Sequence, residues 1–415
     1  MKTIFRYANI GLLLAAIMAL GAVAAIAQNP CEDAEGMTAL GDSVRAKYSD
    51  KTINGRKAFL EVGKQFLEKY ASCDPGKDLG DWLKGRVPAV EKQLADQIEA
   101  EEKGKLIGRF DAGLRGKNWD QVFVSGKEIL AKYPDEFRVV EIVFGALAGE
   151  EAFKGNFKYT SDGLRYAKDS IADLEAGKSF TVGADTRYGL SLKDSYNFEF
   201  ANKNDAIGWM HLYAGYMAQM GQKNKPAALP HLYKATQGTS EAAKQPVPFE
   251  LIGSYYFDEL NKLVERIQTA AKDQNETDTP EVAQKKVDDI RALVALSNGV
   301  AERAMDAFSR AYALGKTADY KTKMKKNVEG AYKLRFAKEE GVDAWIAGTM
   351  SKPFPDPTTP VMPISDPEPA KTDAASTTTT PAAAVKPAAA PIKPAVKPGV
   401  GSNTAAGTKQ PVGKK

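Results

Sequence analysis

Apolar residues recur three and four positions apart through most of residues 33–336, which is the spacing of one buried helix face. Met37, Leu40 and Val44 mark a first helix, Ile53-Asn-Gly-Arg marks a break, and Phe59, Val62, Phe66 and Leu67 mark a second helix. Residues 79–114 carry Trp82, then Pro88 at a position suited to a helix's first turn, then Val90, Leu94, Ile98, Leu106, Phe110 and Leu114. Residues 119–167 read as one helix closed by Pro134, followed by an antiparallel pair broken at Gly155-Asn-Phe157. The octapeptide at 63–70, Gly-Lys-Gln-Phe-Leu-Glu-Lys-Tyr, returns at 126–133 as Gly-Lys-Glu-Ile-Leu-Ala-Lys-Tyr, with five of eight positions identical and a spacing of 63 residues. That spacing is close to two helical repeats of about 34 residues each.

The repeat signal continues downstream. Trp209-x2-Leu212-x3-Tyr216 and Phe249-x2-Ile252-Gly253-x2-Tyr256 share one pattern, and Val140-x2-Val143-Phe144-x2-Leu147 is an apolar version of it. Ala304-x3-Phe308-x2-Ala311, Ala228-x3-Leu232-x2-Ala235, Thr160-x3-Leu164-x2-Ala167 and Val122-x3-Gly126-x2-Ile129 share a second pattern. In these motifs the chain resembles the tetratricopeptide repeat (TPR) family, whose helix pairs use them for the first and second helix. The resemblance implies an all-α, TPR-like α-solenoid of antiparallel helix pairs spanning residues 28–350. Irregular spacing and lost consensus glycine and proline positions imply a degenerate array with insertions.

One insertion is expected at 178–203, which lacks helical periodicity and carries Phe180, Tyr188, Tyr196, Phe198 and Phe200 among small and polar residues. A second interruption is the polar turn at 273–280, with Thr279-Pro280 or Asp278 opening the next helix. Stacked helix pairs leave a groove lined by their first helices, and tyrosine suits a groove because a broad ring ends in a hydrogen-bonding tip. The candidate binding residues are therefore Trp209, Tyr213 and Tyr255 on the helices and Tyr188 and Tyr196 on the insertion. Tyr216 and Tyr256, at consensus positions, are expected to be packing. Residues 320–336 form a basic helix with Lys321, Lys323, Lys325, Lys326, Lys333 and Arg335, read as a terminal cap whose outer face is solvated.

The ends of the chain differ from its middle. Residues 1–27 have a positive start (Lys2, Arg6), an apolar run and a small-x-small ending at Ala25-Ile26-Ala27, the pattern of a cleaved secretory signal. The apolar run is shorter than the roughly 18 residues of a spanning helix. From residue 351 the chain turns rich in Pro, Ala, Thr and Lys, which predicts a disordered, semi-extended tail over 351–415. From Lys352 onward, eight lysines and four acidic residues give +4, the formal charge of the entire chain. The folded part has no basic excess, so nucleic acid is not an expected partner. The tail could contact anionic envelope surfaces weakly. Cys31 and Cys73 are the two cysteines. In an exported chain they predict one disulfide, with two free buried thiols as the alternative.

No nucleophile elbow, phosphate loop, Cys-x-x-Cys or His-Glu-x-x-His is present. His211 and His231 fall on the two helices of one expected pair and could approach each other, but two ligands fall short of the three or four of a metal site. No cofactor and no metal are expected. The resemblance implies a non-enzymatic protein–protein interaction scaffold of the bacterial cell envelope, periplasmic or extracellular, that binds a protein or peptide segment in its groove. The alternative is an envelope small-ligand or glycan-binding protein using the groove and the loop at 178–203.

Overall fold

The computed structural model describes residues 29–366, apart from 183–184, 193–195 and 276. The expected signal at 1–27 and the tail beyond residue 366 lie outside the described residues. Apart from four two-residue strands the fold is helical, and the chain forms two compact units that meet in sequence between Arg109 and Phe110.

The first unit holds α1 (Ala34–Tyr48), α2 (Ile53–Tyr70) and most of α3 (Lys77–Arg115). Asp33 caps α1 by accepting from the Gly36 amide, and Thr52 caps α2 by accepting from Gly55. Each such cap satisfies one of the orphan donors at a helix start. Met37, Val44, Phe59, Leu60, Phe66, Leu83, Val87 and Val90 bury together as one core. The rings of Tyr48 and Trp82 meet edge-on at 5.0 Å on its flank. Cys31 and Cys73 form a disulfide with their Cα atoms 5.2 Å apart. The Tyr70 hydroxyl donates to Asp33 at 2.7 Å, tying the same two ends again. Pro88 does not open a helix as its position suggested; it lies inside α3. The helix begins about three turns earlier, at Lys77, behind the short 3-10 turn Asp74–Gly76.

The second unit runs through α4 (Trp119–Lys132), α5 (Val139–Phe153), α6 (Thr160–Glu175), α7 (Lys203–Tyr216), α8 (Lys225–Ala235), α9 (Val247–Lys272), α10 (Pro280–Leu314), α11 (Ala318–Phe336) and α12 (Val342–Thr349). Asparagine or threonine caps open five of them: Asn118, Asn202, Asn224, Thr279 and Thr317. Each helix from α5 to α11 packs on the next, and α5 also reaches α7, as α7 reaches α9. The recurring sequence positions form this core. Val140, Val143, Phe144, Leu147, Leu164, Ala167, Leu212, Leu232, Ala235, Ile252, Tyr256, Ala304, Phe308 and Ala311 are all buried. The turn between α9 and α10 is held by Lys286, which bonds the Asp273 carbonyl at 2.7 Å and Asp278 at 2.9 Å.

The insertion is ordered where it is described. β1 (Thr181–Val182) pairs antiparallel with β2 (Asp185–Thr186), and β3 (Ser191–Leu192) pairs with β4 (Tyr196–Asn197). Phe180, Phe198 and Phe200 are buried. They anchor the insertion by the same hydrophobic term that packs the helices, so its phenylalanines are not a free aromatic surface. The basic helix α11 turns Val328 and Tyr332 inward. Its cations are partly committed: Lys323 pairs with Glu250, Lys325 with Asp343 and Lys333 with Glu339.

The expected tail boundary needs correction. Residues 351–366 do not leave the fold but run as an irregular strap along α9 and α10. Proline richness forbids a helix or a central strand there, but side chains of the helices satisfy its backbone instead.

Candidate functional site

Among the candidate groove residues, Trp209 and Tyr213 are buried, their rings 5.5 Å apart. Tyr213 is only 4% exposed, and its hydroxyl donates to Glu150 at 2.6 Å. Burial pushes its phenol well above the usual range, and the Glu150 carboxylate adds to this. Both residues are therefore packing, and the expectation that they face a groove is corrected. Tyr255 is half-buried on α9 with its ring against Tyr256. Tyr188 is half-buried in the insertion, where its carbonyl accepts from the Phe200 amide at 2.8 Å. Tyr196 pairs through its backbone in β4, and its side chain is outside what the structure describes.

The two histidines do meet. His211 Nδ1 and His231 Nδ1 are 3.0 Å apart across α7 and α8, so one ring must donate and the other accept. Burial lowers His211 to about 3, helped by His231 and Lys234. Burial lowers His231 to about 4, with Lys168 adding to it. The pair is a neutral clamp between helices. Among the described residues no cluster of three or more His, Cys, Asp or Glu could hold a metal ion. Glu141 is the most displaced carboxyl, pushed up to about 7 by burial and then by Asp173 and Asp169. Asp173 is itself engaged by Arg138 at 2.8 Å and Lys178 at 2.7 Å.

The most elaborated recognition geometry lies under the strap. Arg310, on α10, is nearly buried and donates from Nη2 to the carbonyls of Lys352 (2.6 Å) and Thr349 (3.2 Å). Its Nε donates to Asp306 at 2.7 Å, which orients the fork. Its guanidinium sits 5.1 Å from the Phe354 ring centre, within cation–π range. Phe354 also meets Phe249 edge-on at 5.0 Å and Tyr233 at 6.1 Å. About two turns before Arg310, Arg303 donates to the Asp356 carbonyl at 2.9 Å and to the Thr359 hydroxyl at 3.2 Å. Tyr256 donates to the Pro357 carbonyl at 3.3 Å, and Asn298 to the Ile364 carbonyl at 3.0 Å. The Ile364 amide donates back to the Ala295 carbonyl at 2.8 Å. Arg335 of α11 closes the far end on Asp366 at 2.8 Å.

Gly299 makes this approach possible. A β-carbon there would run into the Met362 carbonyl and lie 2.9 Å from a Val361 methyl. The strap backbone thus rests directly on the helix, at a position where only glycine leaves room.

This site was missed in the sequence because proline content was read as disorder. A signal was present. Phe354, Val361, Met362 and Ile364 intersperse the prolines up to residue 366, whereas the prolines after residue 380 sit among alanine and lysine. Phe354, Val361 and Ile364 are half-buried, and α9 and α10 supply the surface they need. No protein-family model, curated protein or solved structure matches the chain.

Proposed function

We propose that this protein is a non-enzymatic interaction scaffold of the bacterial cell envelope, built as a TPR-like α-solenoid, which binds a protein or peptide segment on its helical face. One observation carries the reading: α9 and α10 hold an irregular, non-helical stretch of 16 residues, 351–366, through side chains that bond its backbone carbonyls. A surface that grips main-chain groups is a surface that reads extended polypeptide. The repeated helix motifs support the solenoid part of the reading. The disulfide supports export, since such bonds persist in oxidising compartments. The secretory pattern at residues 1–27 points the same way, and no helix among the described residues is long and apolar enough to cross a membrane.

The test is site-specific photocrosslinking in the native cell, with a benzophenone amino acid in place of Tyr233, whose ring borders Phe354. The expected outcome is a reproducible adduct to one envelope polypeptide that disappears when Gly299→Ala obstructs the track. Recovery of intramolecular product alone would refute the reading.

A further inference from the structure

The bonding between strap and helices is one-sided. Arg310, Arg303, Tyr256 and Asn298 donate to the carbonyls of Lys352, Asp356, Pro357 and Ile364, while among the described residues of the helices only the Ala295 carbonyl accepts from the strap, through Ile364. A track made of donors suits a chain that offers acceptors. An ordinary extended peptide brings one N–H per residue, and each must find an acceptor or keep its water. Residues 351–366 lessen this demand, because Pro353, Pro355, Pro357, Pro360 and Pro363 carry no N–H. Two further amides, of Thr358 and Thr359, are satisfied on Asp356 within the segment's own turn, and the Lys352 amide bonds Thr349 at the end of α12. Proline also holds the backbone extended beforehand, so little conformational freedom is lost on docking.

The strap is held shallowly. Phe354, Val361 and Ile364 are half-buried and Pro357 is buried, while most other positions, including Met362, face solvent. Its specific side-chain anchors are few: Phe354 in the slot of Phe249, Tyr233 and Arg310, the Thr359 hydroxyl on Arg303, and Asp366 on Arg335. Everything else is backbone, which another chain of the same composition supplies equally well. The strap also follows α12, the last described helix, so its departure breaks no helix pair among the described residues.

We infer that the α9–α10 track is a receptor for an extended proline-rich segment of another polypeptide, carrying an aromatic residue ahead of its prolines and a carboxylate toward its far end. Residues 351–366 occupy that receptor in cis and keep it closed until such a segment displaces them. The inference rests on the peptide-binding reading above and adds the class of partner and the means of control. A tethered occupant competes at an effective concentration in the millimolar range, so a trans partner must either bind well or arrive where the strap is loosened.

The experiment uses the full chain and, as probe, a fluorescently labelled synthetic peptide with the sequence of residues 351–366, followed by anisotropy. Phe354→Ala in the protein removes the cis anchor and leaves the track intact. The expected result is binding at least tenfold tighter than to the unaltered protein. The same probe with its five prolines replaced by alanine should bind the Phe354→Ala protein at least tenfold more weakly. Adding Gly299→Ala should abolish binding with helix content by circular dichroism unchanged, because alanine favours the helix it sits in. Equal affinity of the Phe354→Ala and unaltered proteins overturns cis closure. Equal affinity for both probes overturns proline selection, and the peptide-binding reading survives. No binding of either probe to any variant overturns the peptide-binding reading itself. A dimer of the unaltered protein that Phe354→Ala dissolves would make the partner a second copy and overturn the assignment to another polypeptide.

Discussion

Breaking the Cys31–Cys73 disulfide should cost the first unit a large share of its stability and leave the second unaffected. The bond closes a 42-residue loop around α1 and α2. By the chain-entropy argument, opening a loop of that length returns about 13 cal/mol/K to the unfolded chain, about 4 kcal/mol at 25 °C. A unit of about 80 residues has a total stability of roughly 4–12 kcal/mol at the usual 0.05–0.15 kcal/mol per residue. The reduced unit is thus left marginal, even though the Tyr70–Asp33 bond still spans the same ends. The measurement is hydrogen exchange by mass spectrometry on oxidised and reduced protein at 25 °C. Exchange protection of the α1 and α2 amides should fall about a thousandfold on reduction, which is the factor corresponding to 4 kcal/mol. Protection of α5 through α10 should not change. A loss below tenfold in α1 and α2, or an equal loss across α5 to α10, would refute the reasoning. The expected outcome also has a compartmental meaning, since a unit that depends on this bond folds poorly where thiols are kept reduced.

Two further outcomes follow from the second unit. Gly253→Ala places a β-carbon 2.7 Å from the ring of Phe308, a fully buried side chain that cannot move aside freely; overpacking of this kind should cost about 1–3 kcal/mol, read as a lower urea midpoint, and an unchanged or raised midpoint would show that α9 and α10 do not cross there. Lowering the pH should destabilise the α7–α8 pair, because the folded state keeps His211 and His231 neutral down to about 3 and 4. The unfolded chain takes up protons below about pH 6.5, so stability present above that pH is lost as pH falls toward 4, by at most about 2.7 kcal/mol per pH unit for two protons. Glu141, raised to about 7, acts in the opposite sense between about pH 4.5 and 7. The diagnostic is therefore the difference between the unaltered protein and His211→Asn/His231→Gln, whose urea stability should vary less steeply with pH; identical profiles would refute the assignment.

The amino-acid sequence by itself determined where this chain is helical and which residues face inward. Helical periodicity and capping residues are local properties, and they suffice for α1, α2 and α4 to α11. The recurring motif positions, from Val140 to Ala311, are buried as their spacing requires. The two cysteines were placed as a possible pair by being the two thiols of an exported chain, and the two histidines by the helices that carry them, and both pairs form. The sequence misplaced the surfaces. Trp209 and Tyr213 read as groove residues, because their polar tips permit exposure, but Glu150, 63 positions away, takes the Tyr213 hydroxyl indoors. Pro88 read as a helix start, but the turn at Asp74–Gly76 lets the helix begin earlier. The strap read as disorder because nothing local can satisfy a proline-rich backbone. Its carbonyls find donors 53 to 101 positions away, on Arg303, Asn298 and Tyr256. Such bonds are made between distant segments, and only the tertiary packing of α9 against α10 brings those donors into one line.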